Sequence, residues 1–276
     1  MEAYAAQAPD HGHRVTRLDV ADFDRLPEFD ATFLRLDTSV LGLSFAASRY
    51  AWELGQRVVD DPRSLLTCMN KAHVQGLLEH AGVPTPQTVL LTRAGYDHID
   101  TQALFEELGT PIVCKAPSGA FSSAVEKAHD GPGLKQVVRR FAARSDVVLL
   151  QRFTPSTFDW RVGVLCGRPL YAARYHIPKG AWRIHDRPEG STRMQWAKTE
   201  RVPLDEAPSE VVETALAAAA TIGTSLYGVD LKQTPDGVVV IEVNDNPNID
   251  FDQEIVGDGD AWGRIIDLVA TEGPRA

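Results

Sequence analysis

Asp230, Glu242 and Asn244 stand on either side of a tight turn and could together grip a divalent cation. Tyr-Gly-Val-Asp-Leu-Lys (227–232), a Pro235-Asp236-Gly237 turn and Val-Val-Val-Ile-Glu-Val-Asn-Asp-Asn-Pro (238–247) read as a β-hairpin. A three-residue loop with Gly237 left-handed pairs Thr234 with Val238, and stepping back along each strand sets Asp230 opposite Glu242. Alternation puts Asn244 on the face of Glu242 and sends Val239, Ile241 and Val243 to the other. Two carboxylates side by side in a half-buried sheet repel unless a cation sits between them. Oxygen ligands of this kind suit magnesium, with manganese as the next hard cation, and nucleotide phosphates and waters as the remaining ligands. The other reading of the same residues is a solvated hairpin end with an Asn-Pro turn.

Three further groups of cations could meet an anionic partner. Lys115 ends the strand Pro-Ile-Val-Cys-Lys (111–115) and precedes a loop of small residues, 116–123, whose backbone donors could lie on phosphate. Lys71 falls in a first helical turn, against the positive end of the helix dipole, at a cost of roughly 0.3–1 kcal/mol that an anion would offset. The stretch from 174 to 193 holds Arg174, His176, Lys179, Arg183, His185, Arg187 and Arg193 against Asp186 and Glu189. In an acidic chain such a local excess fits an anionic substrate or phosphate. Each also has a plainer reading, as a strand-end lysine, a side chain reaching solvent and a solvated charge run. Neither G-x-x-x-x-G-K-[ST] nor G-x-G-x-x-G occurs, which disfavours the common nucleotide folds.

The elements that must position these residues follow from periodicity and punctuation. Strands are expected at 14–20, 29–36 and from Val58 to Asp60-Asp61-Pro62, with a helix at 44–56, an alternation typical of a small parallel sheet. Asn70 caps a helix that stops at Gly82. Strands follow at 87–92, 111–116, 121–128 and 147–153, with helices near 100–108 and 133–144. A hairpin around Cys166-Gly167 places Asp159 and Arg161 on one strand face and Trp160 on the other. A helix at 208–222 and the carboxylate hairpin complete the pattern.

Composition narrows the classes. The chain has 276 residues, 43% of them hydrophobic, enough for one large or two modest cores. Its net charge of −10 argues against a surface that embraces nucleic acid. No apolar run approaches the roughly 20 residues of a membrane span, and no export signal is read at the start. Three scattered cysteines, Cys68, Cys114 and Cys166, in apolar surroundings look like reduced core thiols and imply a cytoplasmic setting.

Taken together, these residues resemble the ATP-grasp superfamily and, within it, RimK-like carboxylate–amine ligases similar to ribosomal-protein glutamate ligases. The resemblance runs from Asn70-Lys71 through Lys115, Gln151-Arg152-Phe153, Phe158-Asp159-Trp160-Arg161, Gly180, Trp182 and Arg183, to Gly228-Val229-Asp230 and Glu242 to Pro247. It implies an α+β ATP-grasp fold, two α+β subdomains (69–153 and 154–276) sandwiching ATP, preceded by a short Rossmann-like α/β pre-ATP-grasp domain over 1–68. Lys71 and Lys115 would hold the phosphates, Gln151 and Phe153 the adenine, and Asp159 the ribose side. Asp230, Glu242 and Asn244 match the magnesium ligands, and Arg161 and Arg183 lie near the transferred phosphate and acyl group. Arg174, Lys179 and His185 fall to the acidic substrate. Arg152 stands where the family usually has an acidic residue, and His185 where close relatives have an amide.

The chemistry so implied is attack of a substrate carboxylate, on a small molecule or a peptide, on the γ-phosphate of ATP, and opening of the acyl phosphate by an amine such as an amino acid. Such transfer asks for positioning and charge neutralisation and for no nucleophilic side chain. A kinase that stops at phosphorylation and an ATP-binding regulatory protein are the competing readings. The incomplete sheet of the first domain could be covered by a second copy in a homo-oligomer.

Overall fold

The computed structural model describes residues 6–39, 41–118, 124–186, 195–249 and 261–276. Strand β1 (Ala31–Phe33) runs parallel to β2 (Arg57–Val59), with helix α1 (Leu43–Glu53) as the crossover that parallel neighbours require. Residues 13–19 are irregular where a strand was expected, and a 3-10 segment, Val20–Glu28, follows. Helix α2 (Pro62–Cys68) was not anticipated, although its start is well marked. Asp61 accepts from the amides of Arg63 and Ser64 at 3.0 and 3.1 Å, and Pro62 occupies the first turn. Helix α3 (Lys71–His80) begins as expected, with Asn70 Oδ1 accepting from the Ala72 and His73 amides at 3.0 and 3.2 Å.

The next unit comprises β3 (Thr88–Thr92), α4 (Thr101–Leu108), β4 (Ile112–Lys115), β5 (Val125–Ala128), α5 (Gly131–Ala142) and β6 (Val147–Arg152). Its four strands form an antiparallel sheet in the order β3-β6-β4-β5. Leu108, Ile112, Cys114, Leu134, Val138 and Leu150 form the core between this sheet and the two helices. The alternate residues Val113, Lys115 and Gln151 therefore point to the opposite side.

The last unit holds β7 (Phe158–Leu165), β8 (Arg168–His176), the short pair β9 (His185–Asp186) and β10 (Gln195–Trp196), β11 (Lys198–Val202), α6 (Ser209–Ile222), β12 (Leu226–Thr234) and β13 (Gly237–Asn244). Its five-stranded sheet has the order β11-β8-β7-β12-β13. Trp160, Val162, Val229 and Val243 pack with Val211 and Ala215 of α6 and with Val74 and Leu78 of α3. Each fully buried side chain of that size contributes about 1.5–3 kcal/mol. Helix α7 (Ala261–Glu272) was likewise not anticipated. Its Ile265, Ile266 and Val269 share a core with Val59, Leu165 and Leu226, and the Val58 amide donates to the Pro274 carbonyl at 2.8 Å. The two sheets face each other across a cleft, and the first unit lies beside the far end of β13.

Two bulges set which side chains face that cleft. At the tip of the β12–β13 hairpin Thr234 pairs with Gly237, so the loop is the two residues Pro235-Asp236 instead of three. Leu231 then pairs with Val240, Ile241 bulges, and Asp230 meets Glu242. The expected opposition holds, but its expected route and part of the facing change. Val238, Val240 and Val243 enter the core, while Ile241 lines the cleft beside Glu242. In the β7–β8 hairpin the register shifts between Gly163 and Val164, leaving Leu170 as the extra residue, so Trp160 pairs with Arg174 and Arg161 with Ala173. Without that shift Arg174 would stand opposite Asp159.

Candidate active site

The cleft is lined by Val113, Lys115, Val125, Gln151 and Phe153 from the four-stranded side, and by Asp159, Asp230, Lys232, Ile241 and Glu242 from the five-stranded side. Trp182 and Arg183 border it from the segment after β8. At one end Lys71, in the first turn of α3, reaches Glu242 Oε1 at 3.0 Å. The backbone amide of Lys71 donates to the Pro117 carbonyl at 2.9 Å, which ties that helix start to the loop after β4. Lys115 donates to the Ile241 carbonyl at 3.3 Å, across from its own sheet. Burial pushes the Lys115 ammonium down to about 8, with Glu242 pulling the other way. Burial also opposes the charge on Glu242, but Lys71 and Lys115 outweigh it and hold the carboxyl below its ordinary range.

Asp230 is gripped from the neighbouring strand. Arg161 Nε and Nη2 donate to its two oxygens at 2.7 and 2.8 Å, a bidentate pair. Burial pushes Asp230 up and the arginine offsets only part of that, while Arg161, despite its burial, is held well above its ordinary value by the carboxylate. Asn244 Nδ2 donates to Asp230 Oδ2 at 3.2 Å and to the Gly228 carbonyl at 3.4 Å. Asp230, Glu242 and Asn244 thus meet on one face. Among the described residues no three His, Cys, Asp or Glu side chains gather to cage an ion. Two carboxylates and an amide are a donor set that fits magnesium only with phosphate and water completing the shell. Asp230 and Glu242, with Asn244, would hold it.

The far end of β13 is braced by the first unit. Arg35 donates to Asn246 Oδ1 and, at 2.7 Å, to the Pro247 carbonyl, and Asn246 Nδ2 donates to the Leu36 carbonyl at 2.6 Å. Gly228 permits this turn to close, because a Cβ there would lie 2.6 Å from Pro247 Cβ.

At the opposite end of the cleft Phe153 and Trp182 meet edge to face with centroids 6.3 Å apart, and Lys127 Nζ lies 3.5 Å from the Phe153 centroid. Gln151 donates to Thr88 Oγ1 at 2.9 Å, and Arg183 donates to the Val125 carbonyl at 2.9 Å. The guanidinium of Arg152 turns to Gln87 Oε1 and the Glu107 carbonyl, at 2.6 and 2.8 Å. Asp159 pairs with Lys232 at 2.6 Å.

Nine of the proposed residues therefore line or reach this cleft: Lys71, Lys115, Gln151, Phe153, Asp159, Arg161, Arg183, Asp230 and Glu242, with Asn244 beside them. Arg174 is not brought there. It shares the face of Trp160, lies 4.6 Å from that ring and 3.4 Å from Glu200, and has its buried Nε unbonded. Lys179 is exposed in the turn after β8. The side chain of His185, with Arg187 and Arg193, lies outside the described residues, as do 119–123 of the small-residue loop. Lys127 and Lys232 were given no role from sequence. Lys232 carried a usable signal, since it stands two residues from Asp230 and so shares its face.

The three cysteines are free, and burial pushes Cys114 and Cys166 up to about 12, as for inert thiols. No helix among the described residues is long and apolar enough to cross a membrane.

Comparison with known proteins bears on the fold and the family. The RimK-like ATP-grasp domain family matches residues 68–268. A protein of Vibrio parahaemolyticus serotype O3:K6 named probable alpha-L-glutamate ligase is 25% identical over 252 residues, 89% of this chain and 78% of its own length. Among solved structures, D-alanine--D-alanine ligase from Bacillus anthracis complexed with ATP superposes with a TM-score of 0.70 at 17% identity, over 98% of this chain and 89% of that one. The ATP-grasp ligase PsnB, complexed with a phosphomimetic precursor variant, Mg and ADP, gives 0.66 at 18% identity, over 97% and 94%.

Proposed function

This chain belongs to the RimK-like ATP-grasp family, and on that premise we propose that it is an ATP-dependent ligase that joins a carboxylate to the amine of an amino acid. The α+β cleft between two sheets is that of ATP-grasp ligases, enzymes that bind ATP. The observation that carries the reading is the convergence of Lys71 and Lys115 on the ladder of Asp230, Glu242 and Asn244, with Arg161 behind it.

The substrate carboxylate oxygen attacks the γ-phosphorus of ATP, the bond to the bridging oxygen breaks, and ADP leaves with the electron pair. The amine nitrogen then attacks the acyl carbon, phosphate departs, and the nitrogen loses a proton to give the amide. Lys71 and Lys115 neutralise phosphate charge, and Lys115, charged below pH 8 and desolvated, does so where water screens least. Arg161 keeps Asp230 ionised and aimed. Magnesium, or manganese in its place, supplies further neutralisation of the phosphate oxygens when bound. Phe153 and Trp182 offer flat faces to the base, with Arg183 beside them at the Val125 carbonyl. Residues 1–68, 69–153 and 154–276 remain the working division, the first bracing the metal strand. Lys179 and His185 are retained as contacts for an acidic acceptor.

Glutamate is the first amine to test, given the names of the relatives, and the free thiols support a cytoplasmic setting. Purified protein with ATP, magnesium and pooled amino acids, alone and with candidate acids and peptides, should release ADP and yield new amide masses. ADP release with a phosphorylated product and no amide would favour a kinase. Nucleotide binding without ADP release under any combination would remove the catalytic reading.

A further inference from the structure

The cleft contains a buried ion pair that the reaction above does not use. Lys232 Nζ lies 2.6 Å from Asp159 Oδ1, and the two residues are 7% and 8% exposed. They meet one step beyond the last paired residues of β12 and β7, Leu231 and Trp160. Ser156 Oγ donates to the same Oδ1 at 2.9 Å, and Lys232 also donates to Ser156. Both bonds to the carboxylate fall on one oxygen. Among the described residues none reaches Oδ2.

An ionised carboxylate accepts and cannot donate, so Oδ2 calls for a donor. A triphosphate would repel it, and the aromatic pair Phe153 and Trp182 in the same cavity is suited to a base. What remains between a base and its phosphates is a neutral hydroxyl on the sugar. A carboxylate so buried keeps its charge only beside a cation, and a lysine bonded to Oδ1 also fixes its rotation.

Resting on the ATP-dependent reading, we propose that Lys232, with Ser156, is a positioning residue for the nucleotide: it anchors Asp159 through Oδ1 so that Oδ2 is presented to a ribose hydroxyl. Lys232 itself touches neither the phosphates nor the reacting atoms. The lysine thereby makes the site selective for a nucleoside triphosphate with an intact sugar diol.

Calorimetric titration of ATP and of 2′,3′-dideoxyATP, with magnesium and without acid or amine, reads this selectivity as a ratio of affinities. The wild type should favour ATP by about tenfold, the worth of one charge-assisted hydrogen bond. Lys232→Met should bring the ratio close to one, as should Asp159→Asn, and the charge-neutral pair Asp159→Asn/Lys232→Met should add nothing further. Lys232→Arg should restore part of the preference. In turnover, Lys232→Met should raise KM for ATP and spare kcat. If Lys232→Met weakens both nucleotides equally, or neither, with the ratio intact, the lysine is merely structural and the proposal falls alone. If Lys232→Met does not fold, Lys232→Gln, which is neutral and can still donate, decides the matter: a preference of about tenfold kept in full would overturn the proposal. Failure of the wild-type protein to bind either nucleotide would instead bring down the functional reading with it.

Discussion

In the cleft every carboxylate among the described residues faces a cation at hydrogen-bond distance: Asp230 with Arg161 at 2.7 Å, Glu242 with Lys71 at 3.0 Å and Asp159 with Lys232 at 2.6 Å. At the junction of the first unit with the end of β13 the arrangement is different. Asp60 is 1% exposed, and its Oδ1 has no hydrogen-bond partner among the described residues. Asp245 accepts from Thr38 at 3.1 Å, and burial pushes it up to about 6. Burial and the neighbouring Asp245 push Asp60 far above its ordinary value, with Arg35 only partly opposing. In the cleft each of these acids is matched by a cation, and on the proposed reading phosphate and cation would replace those internal partners. The junction holds uncompensated acid at a cost in stability. Substitutions in the first region should therefore register in turnover, and those in the second in melting temperature.

The largest effect should come from Glu242→Gln. It keeps the shape of the side chain and removes one charge from the metal ladder, so ADP release should slow by roughly a hundredfold or more. Glu242 is only half-buried, and the melting temperature should stay within a few degrees of wild type. Near-normal ADP release would remove this residue from the metal site.

A smaller effect separates Lys115 from the other cations. Its value near 8 in the free cleft rises when phosphate is bound, so nucleotide binding is fully supported below pH 8 and is lost as pH climbs above it. KM for ATP should be flat from pH 6.5 to 7.5 and rise up to about tenfold per unit beyond 8. Lys115→Met should bind ATP about 10–100-fold more weakly and show no such rise, with amine preference unchanged. A pH-independent KM in the wild type would put the ammonium elsewhere than on the phosphates.

At the junction the shift is upward instead of downward. The folded-state value of Asp60 is raised, so the stability linked to its protonated form is present below about pH 4 and is lost as pH rises through the folded value. Asp60→Asn, which stays neutral and can donate toward the neighbouring carboxylates, should gain about 1–3 kcal/mol near pH 7, or several degrees in melting temperature, and little at pH 4. Turnover should be retained. An unchanged or lower melting temperature at pH 7 would show that this acid is better compensated than its contacts suggest.

The same two regions differ in how much of them could be read from sequence. The hairpin of Asp230 and Glu242 announces itself through alternation and a Pro-Asp-Gly turn, and its pairing was correct although the loop has two residues and Ile241 bulges. The two departures cancel in register, and the facing of Val239 and Ile241, which leave the core to Val238 and Val240, betrays them. Arg174 had no such luck. A single extra residue at Leu170 turns it to the Trp160 face, and nothing in local composition marks that bulge. Helix α7 was legible in principle, since Trp262, Ile265, Ile266 and Val269 have helical spacing. Helix α2 likewise carried Asp61 and Pro62 as start signals. Lys232 and the junction acids were not legible as pairs, because their partners come from strands far away in sequence.

The smallest expected effect tests Arg152, which stands where the resemblance leads one to expect an acidic residue. Arg152 follows Gln151 at the cleft, yet its guanidinium is held by Gln87 Oε1 at 2.6 Å and by the Glu107 carbonyl at 2.8 Å. Those contacts lie on the solvent side of β6, where the residue is exposed, and its alternation with the buried Gln151 points it away from the nucleotide. Removing an exposed side chain with no buried partner is worth within about 0.5 kcal/mol, so Arg152→Ala should change KM for ATP by no more than about twofold. Arg152→Glu, which introduces the acidic type expected there from the resemblance, should be equally quiet. A change above tenfold in either variant would mean that the guanidinium leaves Gln87 when nucleotide binds, and that the base end of the cleft, like its phosphate end, exchanges internal partners for ligand.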